Sequence, residues 1–126
     1  MTVLVAYNDS PQGSAAFEAA VEEAQRRNVG LTTLVLTPQP DDAPVPSALS
    51  ALIAKHGQEV EIAFRSSSID VADAILDHSD RVQAELIVLG SRKRTPVGKF
   101  LMGSTTQRVL LDSSAPVLVV KSDSAP

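Results

Sequence analysis

The chain has 126 residues, enough for one domain and too few for two ordinary ones, so residues 1–126 read as a single domain whose core needs no disulfide or metal. It contains no cysteine, which excludes disulfides, cysteine–zinc sites and a cysteine nucleophile and agrees with a reducing, cytoplasmic setting. Its net charge is −4, yet residues 86–111 carry five cations and no acid, leaving −9 on the remainder; such a local cation field favours a small anionic ligand over a long polyanion.

The N-terminal MTVLVAYNDS lacks a basic flank and its apolar run is too short for a signal peptide. No apolar run approaches the about 20 residues that span a bilayer, so no membrane partner is expected. Val3–Tyr7 (VLVAY) reads as a first strand, with the unbroken apolar character of a strand buried on both faces. Ser10 reads as the N-cap of a helix, with Pro11 at its first position and Phe17, Ala20, Val21 and Ala24 at helical spacing. That helix should stop near residues 28–30, before a second strand, Leu31–Leu36. Residues 37–47, TPQPDDAPVPS, hold four of the eight prolines and predict an extended connection. Ser47 is the expected cap of a shorter helix in which Leu49, Leu52, Ile53 and His56 share a face and Gly57 ends the pattern.

Val60–Phe64 alternates more than the other strands, as an edge strand does, and Val71, Ala74, Ile75, His78 and Val82 mark a third helix. Leu86–Leu89 is the fourth predicted strand, ended by Gly90, which is expected to let the chain turn. Ser104-Thr105-Thr106-Gln107 has the form of a capping box opening a fourth helix that is over before Pro116. Val117–Val120 is the fifth strand.

Strand and helix alternating five times predict an α/β domain: an open, mostly parallel five-stranded sheet with helices on both faces. In such sheets ligands bind beyond the carboxyl ends of the strands, where the strand order reverses. Residues at those ends are Asn8, Asp9 and Ser10, then Thr37, then Gly90 onward. The stretch from Gly90 reads GSRKRTPVGKFLMGST. Gly103 before a helix start would expose free N–H groups and the positive end of the dipole, Ser104 and Thr105 would add hydroxyl donors, and Lys93, Arg94 or Lys99 would supply charge. A solvated basic loop is the competing reading.

Two common phosphate motifs are absent. Gly98-Lys99 resembles a P-loop ending, but Phe100 stands where Ser or Thr is needed and Lys93 where the first Gly is needed. After the first strand, Asn8-Asp9-Ser10-Pro11-Gln12-Gly13 has one glycine and no dinucleotide fingerprint. His56 and His78 read as structural, and Asp70, Asp73, Asp77 and Asp80 as a solvated helix face rather than a metal site. No nucleophile–base–acid set is legible, so hydrolysis of any bound ligand is expected to be slow at most. With 3% aromatic residues and a negative net charge, nucleic acid is the least favoured partner.

Along nearly its whole length the chain resembles the universal stress protein family. The resemblance lies in Val3–Pro11 (VLVAYNDSP), Ala84–Arg92 (AELIVLGSR) and Gly103–Val120 (GSTTQRVLLDSSAPVLVV). The family's ATP-binding members carry Gly, two residues, Gly, nine residues, then Gly with Ser or Thr; here Gly90, Lys93 and Gly103-Ser104 stand at those spacings. Lys93 replaces the middle glycine, and Asn8 stands where the family usually has Asp.

The resemblance implies the strand order 3-2-1-4-5, a Rossmann-like, adenine nucleotide alpha hydrolase-like arrangement. It also implies ATP or AMP, with or without Mg2+, lying over strands one and four. Ala6, Tyr7 and Asn8 would flank adenine or ribose, with Leu36 and Leu89 beside the base. Gly90, Arg92, Gly103, Ser104 and Thr105 would hold ribose and phosphates, and Lys93 would bring a cation to a phosphate. Tyr7 has a second reading, as a strand residue packed on a helix. A homodimer through Val117–Val120 is implied as well. The function that follows is a stress-response sensor or adaptor that binds an adenine nucleotide and acts on a protein partner not identified by the sequence. The alternative is a dimeric interaction module that binds no nucleotide.

Overall fold

The computed structural model describes residues 1–38, 43–57, 59–91 and 103–121. Its elements follow the alternation read from the sequence: β1 (Thr2–Tyr7), α1 (Pro11–Arg27), β2 (Gly30–Val35), α2 (Ser47–His56), β3 (Val60–Phe64), α3 (Val71–Val82), β4 (Ala84–Ser91), α4 (Ser104–Asp112) and β5 (Val117–Lys121). The five strands form one sheet in the order β3-β2-β1-β4-β5. All four pairings are parallel, so the sheet is purely rather than mostly parallel.

The period of two along each strand sorts side chains into two cores. Val3, Val5 and Tyr7 of β1, with Leu31 and Val35 of β2 and Leu86 and Val88 of β4, pack on one face against Ala16, Phe17, Ala20 and Val21 of α1 and Leu49 of α2. Leu4, Ala6, Leu34, Ile87 and Leu89 pack on the other face against Ala72 and Ile75 of α3 and Val109 of α4. Each fully buried Val, Leu or Phe contributes about 1.5–3 kcal/mol, which is why the central strands are apolar on both faces. The edge strands β3 and β5 are only half buried, consistent with the more alternating pattern of Val60–Phe64.

Three local expectations are corrected. Ser47 does not cap α2: Pro46 occupies the cap position without a side-chain bond, and Ser47 is the first helical residue. Ser104 does not cap α4: Gly103 does, its carbonyl accepting from Gln107 N–H at 3.0 Å, so no capping box forms. Gly90 does not end β4, which runs on to Ser91 with Gly90 paired to Val120. Gly57 does end α2, with φ +61°.

Candidate functional site

The chain builds outward from β1 through β2 to β3, then crosses back to add β4 and β5 on the other side. The order therefore reverses between β1 and β4, and their carboxyl ends border the crevice where ligands of such sheets bind. One wall of that crevice is the first turn of α1. Ser10 caps it, its Oγ accepting from Gly13 N–H at 2.9 Å, and Pro11 opens the helix. The turn is pressed onto both strand ends. A Cβ on Gly13 would lie 2.0 Å from the Asn8 carbonyl oxygen, and one on Gly90 would lie 2.2 Å from that of Gln12. Gly90 is thus glycine because α1 lies against it, not because the chain turns there.

The N-terminus of α4 is built differently. Gly103 is exposed and adopts φ −69°, and among the described residues it has no side-chain capping bond and a Cβ placed on it would meet nothing within 4 Å. The first N–H groups of a helix have no intrahelical acceptor, so an uncapped start presents donors and a partial positive charge to whatever lies before it. Arg108, one turn along, is not a spare cation for that place. It reaches Asp70 at 3.3 Å, Asp73, and Asp112 at 3.5 Å, and these carboxylates hold its pKa above the ordinary guanidinium value, Asp73 most strongly. Asp70 also caps α3 by accepting from Ala72 N–H at 3.1 Å, so Arg108 ties α4 to the start of α3.

The residues singled out from the sequence fall into separate groups. Ala6, Leu36 and Leu89 share the α3/α4 side of the sheet and form an apolar floor at the ends of β1, β2 and β4. Leu36 is held there by its N–H to the Tyr7 carbonyl (2.8 Å) and by Arg65 Nε on its own carbonyl (2.8 Å). Gly103, Ser104 and Thr105 form the start of α4, whose Val109 packs into the same core. Asn8, exposed, follows β1 at the crevice. Tyr7 lies on the opposite side: its ring is fully buried against α1, and its hydroxyl donates to Asp9 Oδ1 at 2.7 Å. Burial, then the Asp9 hydrogen bond and charge, hold its pKa far above the ordinary phenol value, so it remains a donor. Arg92 and Lys93, with Arg94 and Lys99, lie outside the described residues.

Sequence reasoning missed two features. Gly13 stood in a turn already noted, but only its contact with Asn8 shows why a side chain is excluded. An opening of about 370 Å³ on the α2 side is lined by Tyr7, Asp9, Val35, Thr37 and residues 44–47. The proline-rich pattern announced an extended connection there, but no motif announced a cavity. Among the described residues no helix is long and apolar enough to cross a membrane.

The universal stress protein family model matches residues 1–121. A universal stress protein of Mycolicibacterium smegmatis is 38% identical over 127 residues, covering 94% of this chain and 96% of that protein. The structure of a universal stress protein from Archaeoglobus fulgidus superposes with a TM-score of 0.80 at 30% identity, covering 96% of this chain and 98% of the other. A universal stress protein of the same organism, solved in complex with dAMP, has the same fold, with a TM-score of 0.68 at 24% identity and coverage of 96% and 98%. From its first strand to its last, this chain belongs to the universal stress protein family.

Proposed function

We propose that this protein binds an adenine nucleotide, ATP or AMP, and acts in the stress response as a homodimeric sensor or adaptor with little or no hydrolysis. The observation that carries the reading is the pairing of an apolar floor with an uncapped helix start on one side of the β1/β4 crevice. Ala6, Leu36 and Leu89 give the strand ends on the α3/α4 side an apolar character suited to a base. Gly103, Ser104 and Thr105 at the start of α4 offer N–H and hydroxyl donors suited to phosphates. Asn8 follows β1 and Gly90 lies at the end of β4, and the basic stretch with Arg92 and Lys93 supplies cations close in sequence to the α4 start. The dAMP complex of the Archaeoglobus fulgidus protein supports an adenine nucleotide as the ligand of this fold. The groups offered are apolar, amide, hydroxyl or cationic, and none is a general base, which favours binding over turnover.

Dimerisation through β5 rests on its position at the sheet edge, paired with β4 alone among the described strands, with apolar residues Val117–Val120 only half buried. Light scattering on the purified protein tests it: a dimer is expected, and a monomer at tens of micromolar overturns it. The nucleotide reading is tested by mass spectrometry of ligand released from the purified protein, followed by calorimetric titration with ATP and AMP. An adenine nucleotide in the released fraction, or heat on titration, is expected. No copurified nucleotide and no heat at millimolar ligand overturns the reading and leaves the interaction module in its place.

A further inference from the structure

The opening of about 370 Å³ on the α2 side is walled by strand residues of the sheet face opposite to that of Ala6, Leu36 and Leu89. Val35 and Val45 give it an apolar lining. Asp9 adds a carboxylate held in place: the buried Tyr7 donates its hydroxyl to Oδ1 at 2.7 Å, and Oδ2 has no partner among the described residues. Thr37 and Ser47 bring side-chain hydroxyls that make no hydrogen bond among the described residues.

The charge around this opening is opposite in sign to that of the stretch 86–111. Residues 1–25 and 28–54, which supply β1, β2 and the starts of α1 and α2, contain six acids and no Lys, Arg or His. Lys55 and His56, in the last turn of α2, reach Glu18 instead. Arg65 follows β3, is committed to the carbonyls of Leu36, Ser66 and Ile69, and does not line the opening. The start of α2 acts in the other direction, but a helix end carries about half an elementary charge against the full charge of a carboxylate. A concave, partly apolar lining with one dominant sign of charge concentrates small counter-ions.

We propose that this opening binds a small organic ammonium, a primary amine with a short apolar body, at a site separate from the nucleotide site. A primary ammonium has three N–H donors, and Asp9 Oδ2 with the Thr37 and Ser47 hydroxyls offers three acceptors. The alkyl body is matched by Val35 and Val45. The volume lies near the lower end of the range for ligand sites, about 300–1,000 Å³, which suits a ligand of this size. The inference does not rest on the adenine-nucleotide reading and stands or falls without it.

The test is ligand-observed NMR titration at pH 7.5 with isopentylamine, its neutral analogue isopentanol and its anionic analogue isovalerate. The amine is expected to bind with a Kd of about 1–10 mM, the alcohol about 10-fold more weakly, and isovalerate not at all. Asp9→Asn keeps an acceptor for Tyr7 and removes the charge, so it should bring the amine down to the affinity of the alcohol. Thr37→Arg, at an exposed position, puts a cation at the opening and should abolish amine binding with the melting temperature unchanged. It decides the matter even if Asp9→Asn fails to fold. No amine binding at about 100 mM, or equal binding of amine and alcohol, overturns the proposal. So does amine binding untouched in the folded variants. A preference for isovalerate overturns it too, and gives the opening to the start of α2.

Discussion

Two helices begin beside the β1/β4 crevice, and they treat their free N–H groups in opposite ways. At α1, Pro11 removes one donor, Ser10 Oγ takes another, and the backbone of the first turn rests against Asn8 and Gly90 with no room for a Cβ. At α4, the cap is a glycine with no side-chain bond and, among the described residues, nothing within 4 Å of where a Cβ would stand. Every helix start carries the same unsatisfied donors and the same positive dipole end. One start is consumed by the fold to close a wall; the other keeps its first N–H groups without a side-chain cap among the described residues. Helix starts at a switch point are thus not equivalent, and the contacts around the first turn tell a start packed into the fold from one left uncapped.

Breaking the tight side should have the largest effect. Gly90→Ala and Gly13→Ala each force a Cβ onto a backbone carbonyl, so each is expected to cost about 3 kcal/mol, read as a lower urea midpoint, or to prevent folding. A loss below about 0.5 kcal/mol would show that the α1 turn can move away and that the two starts differ less than the contacts say.

The open side should respond in ligand affinity and not in stability. Gly103→Asp supplies a capping carboxylate that accepts the α4 donors and repels a phosphate, so nucleotide affinity should fall about 100-fold, or about 2.7 kcal/mol, with the melting temperature unchanged or slightly raised. Retained affinity in that variant places the phosphate elsewhere.

Ser10→Ala tests the wall through its cap. It should lower stability by about 1 kcal/mol, read as a lower urea midpoint, and an unchanged midpoint would show that Pro11 and the packing of the turn hold the wall without the cap. Arg108→Gln leaves the α4 donors in place but unties them from α3. Faster hydrogen exchange over residues 104–112 is expected, with a several-fold loss of affinity and a small fall in melting temperature. Unchanged exchange would mean that Val109 alone anchors the helix.

The smallest effect lies away from both starts. His78 on α3 is half buried, and burial first, then Arg81, lowers its pKa, against a smaller opposing effect from Glu61. The folded state therefore binds that proton less readily than the unfolded chain, whose imidazole titrates near about 6.5. Its stabilising effect is full above that pH and declines as pH falls through it towards the lower folded value. His78→Gln should flatten the drop in melting temperature between pH 7.5 and pH 5.5, and an equally steep drop in the variant would remove His78 as a cause.

Much of this architecture was legible because it depends on local pattern. Apolar runs such as Val3–Tyr7 and Val60–Phe64 can satisfy their backbones and bury their side chains in few ways, and Ser10-Pro11 is a helix start whatever lies around it. A helix start just after Gly103 was legible too, from the run Ser104-Thr105-Thr106-Gln107 that follows it. The caps of α2 and α4 were misplaced by one residue, because several neighbouring residues have capping chemistry and the bonds actually made depend on the incoming chain. Tyr7 was legible as a strand residue, but the period of two says only that it faces away from Ala6, not which helix pair it meets.

From its sequence alone, this protein's class and element order were determined, since hydrophobic periodicity and short-range capping are properties of contiguous residues, and its family was legible through the resemblance carried by Val3–Pro11, Ala84–Arg92 and Gly103–Val120. Tertiary structure alone decided that Gly90 exists for the carbonyl of Gln12, that Gly13 exists for Asn8, that Arg108 is spent on α3, and that the Asn8 amide has its carbonyl oxygen engaged. Except for the Asn8 bonds, each joins residues far apart in the chain. Even those depend on how the α1 turn is set against the sheet, a through-space geometry that no spacing rule encodes.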